Sequence, residues 1–364
     1  SGWAPIVAAV VGPTFAGHAN LAGIADYVPM VEGSSLGMAG PKLVEMATGE
    51  TLEPADLGAE AHCARTGMAD RRFPDERLLI ESVKQFLGYF PGNAAEPPPV
   101  GPAPPTPATA DRIGDELLDL VPDSPLRAYD MRRVIELIVD PASVFELKPE
   151  FARNVVTALA RLDGHPVGVI ANNPMVRAGT LDSPASDKMA HFISLCDAFG
   201  LPLVYLVDVP GYMVGKDAEL SGIVRHAMKP IYELGQATVP RFTVLVRKAY
   251  GLAYHAMGAA EFAPDLLVAW PTAEVSPMGP EGAVNLVYGK ALRAAADPKA
   301  EFARLVQAFR ELAGPLKPAQ EMRLDDLIDP RETRMALARA LAVARGRPRY
   351  QRARPPKKHG VNPW

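Results

Sequence analysis

Apolar runs of strand length alternate along the chain with longer segments whose apolar residues recur at helical spacing. The strand-like runs are HPVGVIAN (165–172), PLVYLVDVPG (202–211) and RFTVLV (241–246). The helical segments are ASDKMAHFISLCDAFG (185–200) and GIVRHAMKPIYELGQA (222–237). Gly200 closes the first helix, and Pro230 predicts a kink in the second. Strands separated by helices of this length need crossover connections, so the pattern predicts an α/β fold with a parallel sheet covered by helices.

A proline-rich stretch divides the chain. Residues 91–110, PGNAAEPPPVGPAPPTPATA, have too many prolines for a helix interior or a central strand, so they predict an extended linker. Amphipathic helices are predicted on either side, in DERLLIESVKQFLGYF (75–90) and AYDMRRVIELIVD (128–140). We therefore predict a first domain over 1–90, a linker over 91–125, and a second domain with a basic tail over 126–364.

An internal repeat relates the start of the chain to the segment that begins at Pro240. Each copy has a proline, an apolar strand (PIVAAVV or RFTVLV), a turn with a glycine, an alanine-rich helix, and an aspartate beside a second apolar strand. Each copy closes with a Gly-Pro pair that opens another helix, Gly40–Pro41 or Gly279–Pro280. Such self-similarity predicts a duplicated fold.

In each copy the first strand leads through a glycine into a helix. The turn residues are Gly17, His18 and Ala19 in the first copy and Gly251, Leu252 and Ala253 in the second. The first N–H groups of a helix lack partners within it and lie at the positive end of its dipole, so both turns are candidate anion sites. Amides aimed at a developing oxyanion stabilise it by roughly 3–4 kcal/mol per donor. The alternative is a glycine that only eases helix–strand packing.

The composition is typical of a soluble globular protein, with 364 residues, 48% of them hydrophobic, and a formal net charge of -4. Cys63 and Cys196 are far apart and lack metal-site spacing, which favours a reducing cytoplasm without disulfides or a metal site. No apolar run reaches the roughly 20 residues that span a bilayer. Basic residues are mostly dispersed, so we expect neither membrane nor nucleic acid as a partner. The basic stretch 345–360 is interpreted as a solvated or subunit-contacting arm.

Side-chain nucleophile motifs are missing from the sequence. It contains no G-x-S-x-G elbow, P-loop, H-E-x-x-H pair or dinucleotide fingerprint. Catalysis is therefore expected to depend on oriented backbone amides.

Several segments together resemble one known family. They are RKAYGLAYHAM, WPTAEVSPMGPEGAVN, LVDVPGYMVGKDAELSGIVRHAMK, LDSPASDKMAHF, YDMRRVIELIVD and PPKKHG. The chain resembles, over nearly its whole length, the carboxyltransferase (beta) subunit of biotin-dependent acyl-CoA carboxylases of the propionyl-CoA and methylcrotonyl-CoA type. The resemblance implies two tandem crotonase-like (ββα superhelix) domains, which agrees with the repeat. Because the chain starts without methionine on a strand pattern, we expect the first domain to be truncated at its N-terminus.

The resemblance implies that carboxybiotin on a carrier protein gives its carboxyl group to the α-carbon of an acyl-CoA. The thioester enolate forms at one oxyanion hole, and the biotin ureido anion is stabilised at the other. Carried over by position, Gly17 and His18 hold the first hole. Leu252 and Ala253 hold the second, and Gly251 shapes its turn. The resemblance further implies a biotin carboxylase and carrier partner, and a ring of three dimers whose sites form between neighbouring subunits.

Four further residues are candidates for substrate binding. The resemblance places His255 at the acyl pocket; a helix histidine bonded only to backbone is the alternative. Tyr254, beside it in the chain, is a further substrate-binding candidate. Lys188 and Arg225 are candidates for contact with CoA phosphate or carboxybiotin, with solvated helix cations as the alternative.

The chain departs from the family pattern at two positions. His18 and Leu252 stand where the family usually has a second glycine, and a positive φ there would be disfavoured. Two other functions stay open: a decarboxylase subunit that runs the transfer in reverse, because such subunits share the fold, and a non-catalytic assembly paralogue, which these departures and the expected truncation favour.

Overall fold

The computed structural model describes residues 1–102, 104, 113–346 and 359–362. Its strands are β1 (Pro13–Phe15), β2 (Pro29–Val31), β3 (Ser35–Gly37), β4 (Arg71–Phe73), β5 (Phe145–Leu147), β6 (Val155–Leu162), β7 (His165–Asn172), β8 (Leu203–Val209), β9 (Arg241–Tyr250), β10 (Leu266–Ala269), β11 (Glu274–Ser276) and β12 (Asp326–Leu327). Its helices are α1 (Gly17–Ala22), α2 (Pro41–Thr48), α3 (Ala59–Ala61), α4 (Glu76–Leu87), α5 (Glu116–Leu120), α6 (Met131–Ile138), α7 (Ser183–Phe199), α8 (Lys216–Leu220), α9 (Ile223–Gln236), α10 (Gly251–Ala256), α11 (Pro280–Ala294), α12 (Pro298–Ala313), α13 (Leu316–Gln320) and α14 (Thr333–Arg345). Among the described residues, no helix has the length and apolarity needed to cross a bilayer.

The main sheet has the order β12-β10-β9-β8-β7-β6-β5, with β11 also paired to β9. The strands from β7 to β12 pair in parallel, as the alternating pattern predicts. The expectation of a parallel sheet is wrong at one edge, because β5, β6 and β7 are antiparallel. Asp163 and Gly164, with φ of 51° and 77°, form the two-residue turn between β6 and β7. An Asp-Gly pair is a strong hairpin signal, and it was available in the sequence.

The predicted repeat is present in the backbone. In the second copy β9 pairs in parallel with β10 and, at its end, with β11. In the first copy Val7 and Val10 form parallel bridges to the segment around β2, and β1 pairs in parallel with β3. The predicted first strand is thus a pair of bridges followed by three residues of β1. Helices α1 and α10 both have six residues and both begin at a glycine.

Each copy uses an aspartate to fix its first and second strands. The carboxylate of Asp26 accepts a hydrogen bond from the Ile6 amide at 2.8 Å, and the Asp26 amide donates back to the Ile6 carbonyl at 2.8 Å. Asp265 makes the same two bonds with Arg241, at 3.2 and 2.7 Å. The aspartate that recurs beside the second strand is therefore a reciprocal backbone clamp.

A second clamp also recurs, between the second and the last strand of each copy. The carboxylate of Asp70 accepts from the Val28 amide at 2.7 Å, and the carboxylate of Asp325 accepts from the Leu267 amide at 2.7 Å. Both aspartates return the bond through their own amides, at 2.8 Å in each copy. The duplication thus extends to the side chains that hold the strands in register.

The predicted linker has two described parts. Residues 91–102 contain no helix or strand. Residues 113–121 instead fold against the second domain through α5, whose Leu117 is fully buried, and the Ile113 amide donates to the Arg331 carbonyl at 2.9 Å. The proline-rich residues 103 and 105–112, and residues 347–358 of the predicted basic tail, lie outside the described residues.

Lys188 is part of the core. Its side chain is 1% exposed, and its ammonium donates hydrogen bonds to the carbonyls of Lys148, Phe151 and Val155 at 2.9, 2.9 and 2.8 Å. The structure contradicts the predicted contact with CoA phosphate or carboxybiotin, because this ammonium is buried and its three protons are used inside the protein. Its role is to fix the loop that precedes β6.

The burial of Lys188 should make the stability of the protein depend on pH. Burial lowers the pKa of Lys188 to about 7, below its ordinary value of 10.5. Between these values the unfolded chain binds more protons than the folded one, so stability rises with pH, by at most ~1.4 kcal/mol per pH unit. Urea unfolding at pH 7, 8 and 9 should show this rise, and Lys188→Met should remove that part of the slope. The exposed Lys84→Met is the control; identical slopes in all three proteins would contradict the prediction.

Candidate active site

Strand β9 continues four residues beyond its predicted end at residue 246. The next two residues, Arg247 and Lys248, are charged and lie outside the apolar run that predicted the strand. Both are buried against the carboxylate of Asp208, at 2.8 Å from Arg247 Nη2 and 3.0 Å from Lys248 Nζ. Buried charges are tolerated when they are paired, so Asp208 keeps this end of β9 inside the sheet.

The same arginine ties a distant loop to the end of β9. Arg247 Nη1 donates to the carbonyls of Pro122, Ser124 and Arg127 at 3.2, 2.8 and 2.9 Å. Its guanidinium also lies 4.6 Å from the centre of the Tyr129 ring. The point where the strand gives way to α10 is therefore fixed from several sides.

The second turn begins at Gly251, which has a φ of 57°. A Cβ atom added there would lie 2.8 Å from the carbonyl oxygen of Pro277, so both the conformation and the space require glycine. The next two amides, of Leu252 and Ala253, belong to the first turn of α10. These are the N–H groups that lack partners within the helix.

The first turn also joins a strand to a six-residue helix, but its positive φ lies one residue earlier and it is more exposed. Helix α1 begins at Gly17, and Ala16 before it has a φ of 54°. Gly17 and His18 are exposed, whereas Ala19 is buried. Neither His18 nor Leu252 has a positive φ. The two departures from the family pattern therefore add no backbone strain at those positions.

Two cavities meet at the second turn, and both are lined by Gly251 and Leu252. The smaller has a volume of about 390 Å³, and apolar side chains such as Tyr212, Met213 and Ile223 form much of its wall. The larger has a volume of about 580 Å³. Gly17 and His18 line neither cavity, so within one chain these cavities do not bring the two turns together.

His255 and Tyr254 lie on the wall of the larger cavity. His255 Nδ1 is 3.1 Å from the Gly251 carbonyl oxygen, and its Nε2 is 3.7 Å from a carboxylate oxygen of Glu261. The histidine is thus bonded to backbone and also faces the cavity. Both predicted arrangements, the backbone hydrogen bond and the position at a pocket, are therefore present. Tyr254 is 6% exposed, and burial raises the pKa of its hydroxyl to about 12.

Arg225 is exposed on α9. Its neighbour Val224 and, one turn later, Met228 line the smaller cavity. Arg225 itself lines neither cavity, and it is exposed, unlike the buried Lys188.

Three residues that the sequence analysis did not assign support the second turn. The hydroxyl of Tyr250, immediately before Gly251, donates to Glu274, and Arg310 Nη1 donates to the same carboxylate at 2.8 Å. Arg310 lies 36 residues from Glu274 in the chain, so no local spacing connects them. The tyrosine before the glycine was the only available signal.

Replacement of Gly251 by alanine should impair activity more than folding. The added Cβ would meet Pro277 and the positive φ would be strained, at a cost of about 1–3 kcal/mol. Displaced amides should lower kcat by a factor on the order of a hundred, measured as transfer of a labelled carboxyl group. Gly235→Ala is the control. Gly235 lies within α9, and a Cβ atom added there would have no other atom within 4 Å. Equal activity of the two variants would contradict the assigned role of Gly251.

Comparison with known proteins agrees with this geometry. The family model described as the carboxyl transferase domain matches residues 1–361. A propionyl-CoA carboxylase carboxyltransferase subunit from Haloferax mediterranei is 40% identical, over 100% of this chain and 70% of its own length. The methylmalonyl-CoA decarboxylase subunit alpha from Veillonella parvula is 39% identical, over 100% of this chain and 69% of its own length.

A solved structure shares the fold closely. A crystal structure of the transcarboxylase 12S hexamer, with methylmalonyl-coenzyme A and methylmalonic acid bound, superposes with a TM-score of 0.90 at 38% identity. The match covers 99% of this chain and 68% of that one. It confirms the predicted α/β fold with crotonase-like domains. The chain therefore belongs to the carboxyl transferase domain family and is an acyl-CoA carboxyltransferase subunit of the biotin-dependent carboxylase type.

Proposed function

We propose that the chain transfers a carboxyl group from carboxybiotin to the α-carbon of a short acyl-CoA such as propionyl-CoA. The observation that carries the proposal is the strand-to-helix turn that occurs in both copies and that, in the second copy, opens onto two cavities. Relatives that act on propionyl-CoA and methylmalonyl-CoA support the choice of a short acyl group.

The smaller cavity suits the ring system of biotin. Its volume of about 390 Å³ and its apolar wall fit a small bicyclic urea, and the amides of Leu252 and Ala253 suit its single oxygen. Carboxybiotin supplies the carboxyl group and, once that group has left, a ureido nitrogen basic enough to take the α-proton. In this assignment the chain needs no side-chain base at that position.

The first turn binds the thioester of the acyl-CoA. The amides at Gly17 and His18 are exposed at the start of α1, where they can donate to an enolate oxygen. The acyl group occupies the larger cavity, where His255 and Tyr254 determine its size and polarity. Arg225 meets negative charge on the incoming carrier or on CoA phosphate.

A neighbouring subunit completes the site. Val224, Met228 and Tyr232 recur every four residues on α9 and are 68%, 37% and 65% exposed, so they form an apolar stripe beside the smaller cavity. We propose that the first domain of a second copy packs against this stripe within a ring of three dimers. This contact would bring the exposed turn at Gly17 and His18 of that copy close to the smaller cavity. The hexamer named for the transcarboxylase relative supports this assembly.

The remaining partner is a biotin carboxylase with its biotin carrier, which delivers carboxybiotin to the ring. We place the complex in the cytoplasm, where the free and buried Cys63 and Cys196 would stay reduced.

The reverse reaction is a second candidate. Decarboxylase subunits from Veillonella parvula and Propionigenium modestum are 39% and 37% identical to the chain. The two directions share the same turns and cavities. Rates measured with N-carboxybiotin plus propionyl-CoA, and with biotin plus methylmalonyl-CoA, distinguish them; failure to carboxylate any acyl-CoA would overturn the leading proposal.

A carboxylate at the second turn should oppose the charge that develops there. Leu252 is 49% exposed, so Leu252→Asp should fold and place a negative charge beside the oxyanion amides. We expect kcat for transfer to propionyl-CoA to fall by roughly tenfold to a hundredfold. Leu286→Asp, at a 73% exposed position on α11, is the control. An unchanged kcat in Leu252→Asp would contradict the proposal that the second turn stabilises an oxyanion during the reaction.

The apolar stripe should control assembly. Val224→Glu puts a charge into the proposed subunit contact and should shift the oligomer towards smaller species in light scattering, because an unpaired buried charge is costly. Val343→Glu, which alters a 61% exposed valine on α14, should leave the oligomer intact. An unchanged mass for Val224→Glu would place the subunit contact elsewhere.

A further inference from the structure

A chain of side chains connects helix α12 to the tyrosine before the second turn. Glu274, the first residue of β11, accepts hydrogen bonds from the Tyr250 hydroxyl and, at 2.8 Å, from Arg310 Nη1. Arg310 Nη2 donates to Glu281 at 2.5 Å. Arg310 therefore holds two carboxylates that mark the two ends of residues 274–281.

The residues between these carboxylates form the wall over the turn. The Pro277 carbonyl lies so close to Gly251 that a Cβ there would be 2.8 Å away. A Cβ on Gly279 would lie 3.5 Å from the Tyr250 ring. Pro277 lines both cavities, and Met278 lines the smaller one. A shift of this wall would therefore change the space between the amides of α10 and any ligand held against them.

The ion pairs of Arg310 are partly buried and join both ends of residues 274–281; we call this arrangement the Arg310 brace. The side chains of Arg310 and Glu274 are only 18% and 14% exposed, and that of Glu281 is 44% exposed. The two Nη atoms of one guanidinium reach two carboxylates, which the single ammonium of a lysine cannot match in geometry. Burial raises the pKa of the Tyr250 hydroxyl, so it remains a donor to Glu274.

We propose that Arg310 is a positioning residue for carboxyl transfer: it holds residues 274–281 at a fixed distance from the second turn and so sets the fit of carboxybiotin. Arg310 lines neither cavity, so it acts through Glu274, Glu281 and the wall between them. The inference rests on the proposed assignment of the second turn to the biotin side.

The test compares Arg310→Met and Arg310→Lys with the unaltered enzyme, with free N-carboxybiotin and propionyl-CoA as substrates. We expect Arg310→Met to raise KM for N-carboxybiotin about tenfold or more, with KM for propionyl-CoA changed less than about twofold. Arg310→Lys keeps the charge and should recover part of the loss. Arg304→Met is the matched control, because Arg304 lies on the same helix in an exposed pair with Glu301.

The outcomes separate this inference from the proposed function. A fall in kcat with both KM values unchanged, or no change at all, would overturn the positioning role. A rise in KM for propionyl-CoA alone would support positioning by Arg310 and overturn the assignment of the turn to biotin.

A second measurement does not depend on activity. Hydrogen–deuterium exchange of the peptides that cover residues 274–281 should be faster in Arg310→Met than in Arg304→Met. Equal exchange in the two variants would contradict the proposal that Arg310 holds residues 274–281 in place, whatever reaction the enzyme catalyses.

Discussion

The buried carboxylate of Asp208 fixes the place where β9 ends, and the position of the second turn follows from it. Without this partner, Arg247 and Lys248 would be two unpaired cations in a core, and removal of one partner from a buried pair costs about 3–5 kcal/mol. With it, the strand continues to Tyr250 and pairs with β11 at Lys248–Tyr250. Helix α10 can then start only where Gly251 allows the chain to turn under Pro277.

The first copy reaches the same turn by other means. Its aspartate clamps match those of the second copy, which explains how two distant segments keep one backbone plan. Pro13 and Thr14, however, stand four and three residues before Gly17, where the second copy has Arg247 and Lys248. The first strand is accordingly short, and its turn is exposed. Water can be excluded from the exposed turn at Gly17 and His18 only when another surface covers it.

Local patterns in the sequence predicted much of the fold, and contacts distant in the chain account for what was missed. Strand β7 coincides with the predicted 165–172, because its apolar run is bounded by turn residues. The predicted end of β9 was wrong because the apolar run stops at residue 246, and only the fold brings Asp208 beside the two cations that follow. Both glycine turns could be found from their spacing. Burial of Lys188 could not, because the carbonyls that accept its protons belong to the loop before β6 and to the first residue of β6.

Charges near the second turn cancel. Arg247 and Lys248 pair with Asp208 behind the turn, and Arg310 pairs with Glu274 and Glu281 in the wall over it. Three cations thus meet three carboxylates, so the preference for negative charge at the amides of Leu252 and Ala253 comes from the start of α10 rather than from a surplus of positive side chains. The two ion-pair networks act on the turn through position, because one holds the end of β9 and the other holds residues 274–281.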